Sequence, residues 1–117
     1  MRRVAVVAFD GISPFHLSVP TLVLGRSGTG VEDGELPYEV RVCAERPGTL
    51  STAAGFDITV RDGVDAVAAA DLVVFPGWQR GLGLSPALNE AVHVAHSGGA
   101  RLVGLCLGSW AIAATGL

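Results

Sequence analysis

The sequence of 117 residues contains no lysine, and charged residues make up only 16% of it. The basic residues, all of them arginine, are scattered from Arg2 to Arg101, and the formal net charge is -3. A segment that binds nucleic acid directly needs a basic patch to neutralise phosphates. The composition therefore argues against a nucleic-acid contact made by these residues themselves.

Long hydrophobic runs are absent as well. No apolar run reaches the roughly 20 residues that cross a bilayer as a helix. The start, MRRVAVVAFDG, has too short an apolar core before Asp10 for a signal peptide. We therefore expect a cytoplasmic protein with no membrane partner.

The sequence also lacks a P-loop, a GxGxxG fingerprint and any metal-ligand spacing, and we expect no cofactor and no metal. It has two cysteines, Cys43 and Cys106. Because thiols stay reduced inside the cell, a buried or reactive thiol is favoured over a disulfide at each position.

What is present is a core-rich composition, with half of the residues hydrophobic. Four apolar runs are predicted to be core strands, and helical patterns separate them, among them a short helix in DGVDAVAAA. Residues 56–60 are predicted to be a minor strand or hairpin, and residues 26–37 a polar, glycine-rich loop. The four core strands are predicted at residues 3–9, 38–44, 71–75 and 100–106. Alternating strands and helices predict an α/β fold with a doubly wound, mostly parallel sheet, formed by residues 1–117 as a single domain.

Three further helices have recognisable ends. Ser85 and Pro86 are typical of a helix start, Gly98 is typical of a stop, and a last helix is predicted over residues 109–115. One face of the Ser85 helix is apolar, at Leu88, Ala91, Val92 and Ala95. The first helix has a start signal at Ser13-Pro14 and a stop at Gly25.

Pro20 conflicts with that first helix, because its ring clashes with the carbonyl of His16. Either the helix begins near Ser18, with Pro20 in its first turn, or it is kinked. Both alternatives leave the backbone around His16 irregular.

The carboxyl ends of the core strands are predicted to carry the ligand site, as in other doubly wound sheets. Those ends hold three unusual loops, Asp10-Gly11, Pro76-Gly77-Trp78 and Gly104 to Gly108. We expect the three loops to converge at one edge of the sheet.

Cys106 lies in a sharp strand-to-helix turn between two glycines. Such a turn lifts the side chain clear of the sheet, and the following helix favours a thiolate, which suits a nucleophile. The backbone N–H groups of Leu107 and Gly77 are the candidate donors for an oxyanion. The alternative is a small cysteine buried in a tight connection.

His16 follows the first strand, so it is predicted at the same edge, where it could orient or move a proton. Asp10 is predicted to bind a ligand, to orient a group at the site or only to stabilise its turn. Trp78 is predicted to be a pocket wall or a cover over the core. His93 and His96 lie off the apolar face of their helix, and we expect both to be solvated.

Three segments, FDGISPFHLSVP, FPGW and GLCLGSWAIAATGL, together resemble the DJ-1/PfpI superfamily, which has the type 1 glutamine amidotransferase-like fold. The resemblance covers essentially the whole chain. It is strongest to the N-terminal domain of AraC-type transcriptional regulators of the GlxA kind, with isonitrile hydratases as near relatives.

The resemblance implies that Cys106 is the family's nucleophile and that Gly77 and Leu107 supply oxyanion donors. The family's enzymes place an acidic residue where this sequence has His16, which puts their usual catalysis in doubt. Family members continue beyond the segment that ends at Leu117, so the resemblance implies a fragment, or a chain whose uncovered fourth strand needs a partner.

The resemblance thus implies a ligand-sensing and dimerisation domain of a transcriptional regulator, with a vestigial or regulatory cysteine site. Its partners are then a small-molecule ligand, a second copy of the chain, and DNA only through a region outside this sequence. The alternative is a cysteine-dependent hydrolase or hydratase that uses Cys106. A folded domain without activity of its own is the third possibility.

Overall fold

The computed structural model describes residues 2–25 and 37–117. Its elements alternate between strands and helices, as the hydrophobic patterns predict. In chain order they are β1 (Arg2–Ala8), α1 (Pro14–Leu24), β2 (Tyr38–Ala44), β3 (Gly48–Ser51), β4 (Asp57–Val60), α2 (Val64–Ala68), β5 (Leu72–Phe75), α3 (Pro86–Ser97), β6 (Arg101–Gly104), a 3-10 turn (Cys106–Gly108) and α4 (Ser109–Thr115).

Four strands form one parallel sheet in the order β2-β1-β5-β6. β1 lies in the middle, where its Val-rich run is buried on both sides, as expected of a central parallel strand. The four core strands predicted from the sequence are therefore confirmed. The loop predicted over residues 26–37 lies, apart from Pro37, outside the described residues.

β3 and β4 pair antiparallel as a separate hairpin. The sequence predicts β4 but not β3. The hairpin holds the segment that follows β1, because Gly11 donates to the carbonyl of Ser51 and Ala53 donates to that of Ile12. It thus positions the connection between β1 and α1.

Helices cover both faces of the sheet. On one face Val73 and Phe75 pack with Val67 of α2 and Leu88 of α3. On the other face Val4, Val6 and Val74 pack with Leu17 and Leu24 of α1. The fold is therefore α/β, with a parallel sheet flanked by helices.

α3 forms where its local signals place it. The Oγ of Ser85 accepts a hydrogen bond from the N–H of Leu88 at 3.2 Å, which caps the helix. Pro86 takes the first helical position and Gly98 follows the last. The four residues of its predicted apolar face are all buried: Leu88, Ala91, Val92 and Ala95.

The centre of α1 differs from the prediction. The helix begins at Pro14 and runs through Pro20, so the alternative start near Ser18 is wrong and His16 is helical rather than irregular. Pro20 removes one backbone hydrogen bond, but it is the buried residue of the helix, and burying its ring offsets that loss. The Oγ1 of Thr21 also donates to the carbonyls of Leu17 and Ser18.

Among the described residues β2 and β6 are the outer strands of the sheet. The prediction that the fourth core strand lies at an edge is confirmed. On the neighbouring helix α4, Trp110 is 43% exposed, whereas Ile112 packs partly against the core. The described helices include none with the length and hydropathy needed to cross a bilayer.

Candidate functional site

A pocket of about 160 Å³ lies at the carboxyl edge of the sheet, where the segments after β1, β5 and β6 meet. We call it the Cys106 pocket. Its lining combines parts of all three segments with the first turn of α1. The lining residues are Phe9, Ile12, Ser13, His16, Gly77, Trp78, Cys106 and Leu107.

The turn after β6 presents Cys106 in an unusual backbone conformation. Among the described residues Cys106 is the one non-glycine residue with a positive φ, of 52°. The N–H of Leu105 still bonds to the carbonyl of Phe75, and the N–H of Gly108 closes the turn onto the carbonyl of Leu105 at 2.8 Å. The chain therefore leaves the sheet and reverses within three residues, and the thiol is left exposed at the edge.

The two glycines that flank this turn are required by close backbone approach. A Cβ at Gly108 would overlap the carbonyl oxygen of Phe75, and one at Gly104 would lie 2.5 Å from the nitrogen of Ser109. Gly77 differs, because a Cβ there would lie 3.9 Å from the nearest atom, on the ring of Phe9. The pocket thus has spare room beside Gly77.

Cys106 and His16 line the same pocket, as the sequence predicts. Within residues 2–25 and 37–117, no hydrogen bond or ion pair joins the Sγ of Cys106 or the imidazole of His16 to another residue. The His16 ring instead lies edge-on to that of Phe15, with centroids 5.8 Å apart. Both groups are available to a molecule that enters the pocket.

Trp78 forms a wall of the pocket and is itself only 2% exposed. Its Nε1–H donates to the carbonyl of Leu82 at 3.0 Å, which satisfies the polar end of the ring. Its ring packs edge-on against Phe9 and Phe75, with centroids 5.1 and 5.8 Å away. This wall is held rigidly.

Asp10 does not belong to the Cys106 pocket, although the sequence places it at the same edge. Its Oδ1 accepts hydrogen bonds from the backbone N–H and the hydroxyl of Ser51, at 3.0 and 3.4 Å. Its carboxylate thus ties the segment after β1 to the β3–β4 hairpin. Asp10 lines a neighbouring groove instead.

The two histidines of α3 lie apart from the pocket. The prediction that His93 is solvated is wrong, because it is half-buried and its Nε2 lies 2.8 Å from the carbonyl of Thr115. It joins α3 to the end of α4, since the packing of the two helices brings these residues together. His96 is exposed, as predicted.

Three lining residues, Phe9, Ile12 and Ser13, were not singled out as site residues by sequence reasoning. Ser13 occupies the cap position of α1, yet its side chain makes no capping hydrogen bond. Its hydroxyl therefore adds a polar group to a largely apolar pocket. The available signal was position alone, because the three residues flank the Asp10-Gly11 turn.

The second cysteine has a different environment. Cys43 is fully buried at the end of β2, and loss of hydration raises the pKa of its thiol to about 12. Both cysteines are free. Within the described ranges, no group of three or more histidine, cysteine or carboxylate side chains has the geometry to hold a metal ion.

No protein-family model matches the chain, and no curated protein matches it. Solved structures do. A DJ-1 superfamily protein from Agrobacterium tumefaciens superposes with a TM-score of 0.74 at 20% identity, over 99% of this chain and 59% of the other. An AraC family transcriptional regulator from Pseudomonas putida gives 0.78 at 20% identity, over 99% and 62%.

A ThiJ/PfpI family protein from Pseudomonas syringae is also similar, with a TM-score of 0.79 at 15% identity, over 99% of this chain and 46% of the other. The chain spans about three fifths or less of the length of these three proteins. At such identities the similarity concerns the fold. Together the sheet order, the turn at Cys106 and these matches show that the chain has the fold of the DJ-1/ThiJ/PfpI superfamily, which AraC-type regulator domains share.

Proposed function

We propose that the chain is the ligand-sensing and dimerisation domain of a cytoplasmic transcriptional regulator, and that the Cys106 pocket receives the ligand. In this proposal residues 1–117 act as one domain, and DNA is bound by a region outside this sequence. The pocket's volume, about 160 Å³, suits a molecule of a few heavy atoms or one end of a larger one.

The chemical content of the pocket is the observation that carries the proposal. Its polar side chains are the thiol of Cys106, the imidazole of His16 and the hydroxyl of Ser13, and none of its eight lining residues is a carboxylate. A cysteine nucleophile needs a base, and the base needs a group that orients it. Since neither the thiol nor the imidazole is hydrogen-bonded to a described residue, this pocket is better suited to binding than to turnover.

The structural comparisons support the same proposal. One of the similar structures is described as an AraC family transcriptional regulator, and it aligns over 99% of this chain. The absence of a basic cluster fits a domain that does not itself contact DNA.

The test is genome-wide chromatin immunoprecipitation of the protein, tagged at its native locus. We expect discrete promoter peaks. The variant Gly77→Leu places a side chain in the pocket at a position with free space and no positive φ, so it should alter transcription at those promoters. Gly83→Leu is the matched control, because Gly83 has no atom within 4 Å of its Cβ position and does not line the pocket. An absence of discrete peaks would contradict a regulatory role.

A second candidate function is a cysteine-dependent hydrolase or hydratase. It is favoured by the exposed thiol on a backbone with a φ of 52°, next to the backbone of Gly77 and Leu107 as candidate anion donors. Cyclohexyl isocyanide is a suitable probe, since addition of water converts it to the formamide. Turnover that disappears in Cys106→Ala would support this function, and turnover that survives would exclude it.

A further inference from the structure

A second and larger cavity lies beside the Cys106 pocket at the same edge of the sheet. It has a volume of about 650 Å³, and we call it the Trp78 groove. The groove is bounded by the ends of β1 and β2, by β3 and by the segment from Trp78 to the start of α3. Its lining residues are Ala8, Phe9, Asp10, Ala44, Glu45, Arg46, Leu50, Trp78, Gln79, Leu82, Ser85, Pro86 and Ala87.

The floor of the groove is apolar. Ala8, Ala44, Leu50 and Trp78 are each less than a tenth exposed, and they belong to the core. Phe9 contributes a half-buried aromatic ring that also lines the Cys106 pocket. An occupant with an apolar body gains free energy from being removed from water at this floor.

The charged groups lie among the more exposed lining residues, and two of the three are carboxylates. Asp10 is held by its two hydrogen bonds from Ser51, so its carboxylate has a fixed position. Glu45 and Arg46 form no ion pair with any residue in the described part of the chain. The side chains of Asp10, Glu45 and Arg46 together carry one net negative charge.

We propose that the Trp78 groove binds a small organic cation with an apolar body, of the arylalkylamine class. Its ammonium group lies between the carboxylates of Asp10 and Glu45, and its ring lies against Phe9 and the floor. An ammonium placed there gains charge-assisted hydrogen bonds, and aromatic neighbours add cation–π attraction. The site is separate from the ligand pocket of the proposed function and shares only the wall formed by Phe9 and Trp78.

The shared wall provides the readout. The chain has two tryptophans, and Trp110→Phe leaves Trp78 as the sole fluorescent indole. Titration of that variant with 2-phenylethylamine should shift the emission of Trp78 in a saturable way. Two related compounds are the comparisons: the neutral 2-phenylethanol, which matches the amine in shape, and the anionic 3-phenylpropanoate, which shares its phenylethyl body. We expect the amine to bind about tenfold more tightly than the alcohol, and the anion more weakly than either.

Three charge variants test the placement of the cation. Glu45→Gln removes one carboxylate with little change of shape and should weaken amine binding about tenfold. Arg46→Gln removes a like charge and should strengthen it. Glu90→Gln is the matched control, since Glu90 is exposed on α3 and does not line the groove. Circular dichroism checks that each variant is folded.

Equal affinities for the amine and the alcohol would overturn the proposal, and so would tighter binding of the anion. Weaker amine binding in Arg46→Gln would also overturn it, because an ammonium in this groove is repelled by the like charge of Arg46 and should gain affinity when that charge is removed. Salt provides a measurement without any variant: raising the ionic strength should weaken amine binding and leave the alcohol unaffected. None of these results depends on promoter occupancy, so this proposal and the proposed function can fail independently.

Discussion

The two cysteines of this chain lie at the ends of two parallel strands, yet their surroundings are opposite. Cys43 at the end of β2 is fully buried in the core cluster shared with α2 and α3. Cys106 follows the outer strand β6, has a left-handed backbone and is exposed. The same residue type therefore serves packing at one strand end and lines a pocket at the other.

Because β2 and β6 are both outer strands of the described sheet, the difference arises from position along the strand, with Cys43 inside β2 and Cys106 beyond the end of β6. β2 carries Cys43 on the face that packs against α2 and α3, and its Sγ contacts the carbonyl of Arg41 at 3.6 Å. Cys106 instead lies beyond the last pairing of β6, where the chain turns away from the sheet.

The largest expected difference between the two thiols is in their rates of alkylation. In the folded protein, iodoacetamide should modify Cys106 at least about a thousandfold faster than Cys43, because Cys43 reacts only when the core opens. Peptide mass spectrometry over time gives both rates in one sample. In concentrated urea the two rates should become similar, which is the control. Similar rates in the folded protein would show that Cys43 is not in a closed core.

The turn that exposes Cys106 should depend on Gly108. Gly108→Ala brings a Cβ onto the carbonyl of Phe75 and should lower the free energy of unfolding by about 3 kcal/mol or more. Gly77→Ala, in the same pocket, should change it by less than about 1 kcal/mol, because the added methyl group meets no close neighbour. Urea unfolding measures both variants. Equal effects would contradict the close approach at Gly108.

High pH should destabilise the protein through Cys43. Its thiol has a pKa of about 12 in the folded state against 9.0 for the ordinary value, so the unfolded state loses its proton first. The stability that the protonated thiol contributes is complete below about pH 9 and is lost between about pH 9 and 12, at up to about 1.4 kcal/mol per pH unit.

The measurement is urea unfolding at about pH 8 and about pH 10.5, where wild type should lose about 2 kcal/mol more than Cys43→Ala. Cys106→Ala serves as the matched control, because it removes a thiol and leaves Cys43 in place, so the loss assigned to Cys43 should remain. A Cys43→Ala variant that loses as much stability as wild type would contradict burial of this thiol.

The smallest effect concerns the backbone of Cys106. Glycine tolerates a φ of 52° without steric cost, so Cys106→Gly should raise the free energy of unfolding by up to about 1 kcal/mol. Cys106→Ala keeps a Cβ and should leave it nearly unchanged. The two variants are compared by thermal unfolding. A destabilised glycine variant would indicate that the Cys106 side chain itself contributes packing.

The helices show how far the sequence predicted the fold. α3 agrees with its prediction in detail, because its signals are local: Ser85 caps it, Pro86 starts it and Gly98 follows it. α1 was predicted with an irregular centre, because Pro20 is unfavourable inside a helix. Tertiary packing buries Pro20 and helps to offset that local cost, and a sequence pattern does not show such burial.

The candidate site was predicted only in part, because local sequence signals mark some of its residues and not the others. The glycines around Cys106 indicated the turn in the sequence. They are needed there because the backbone passes so close to other backbone atoms that a Cβ has no room. Phe9, Ile12 and Ser13 carry no such signal and were missed. Asp10 was grouped with Cys106 because both follow core strands, whereas its bonds to Ser51 tie it to the hairpin β3–β4. β3 itself was missed, because Gly48–Ser51 has no alternating pattern of its own.

The sequence by itself determined the parallel sheet, its flanking helices and the turn at Cys106, because hydrophobic periodicity, helix caps and glycine spacing act over a few residues. The tertiary structure alone decided that Asp10, predicted at the same edge as Cys106 and His16, lies in the Trp78 groove and not in the Cys106 pocket. It also decided that one thiol is buried and the other exposed. These outcomes depend on which strands pair and which helices cover them, and those contacts join residues far apart in the chain.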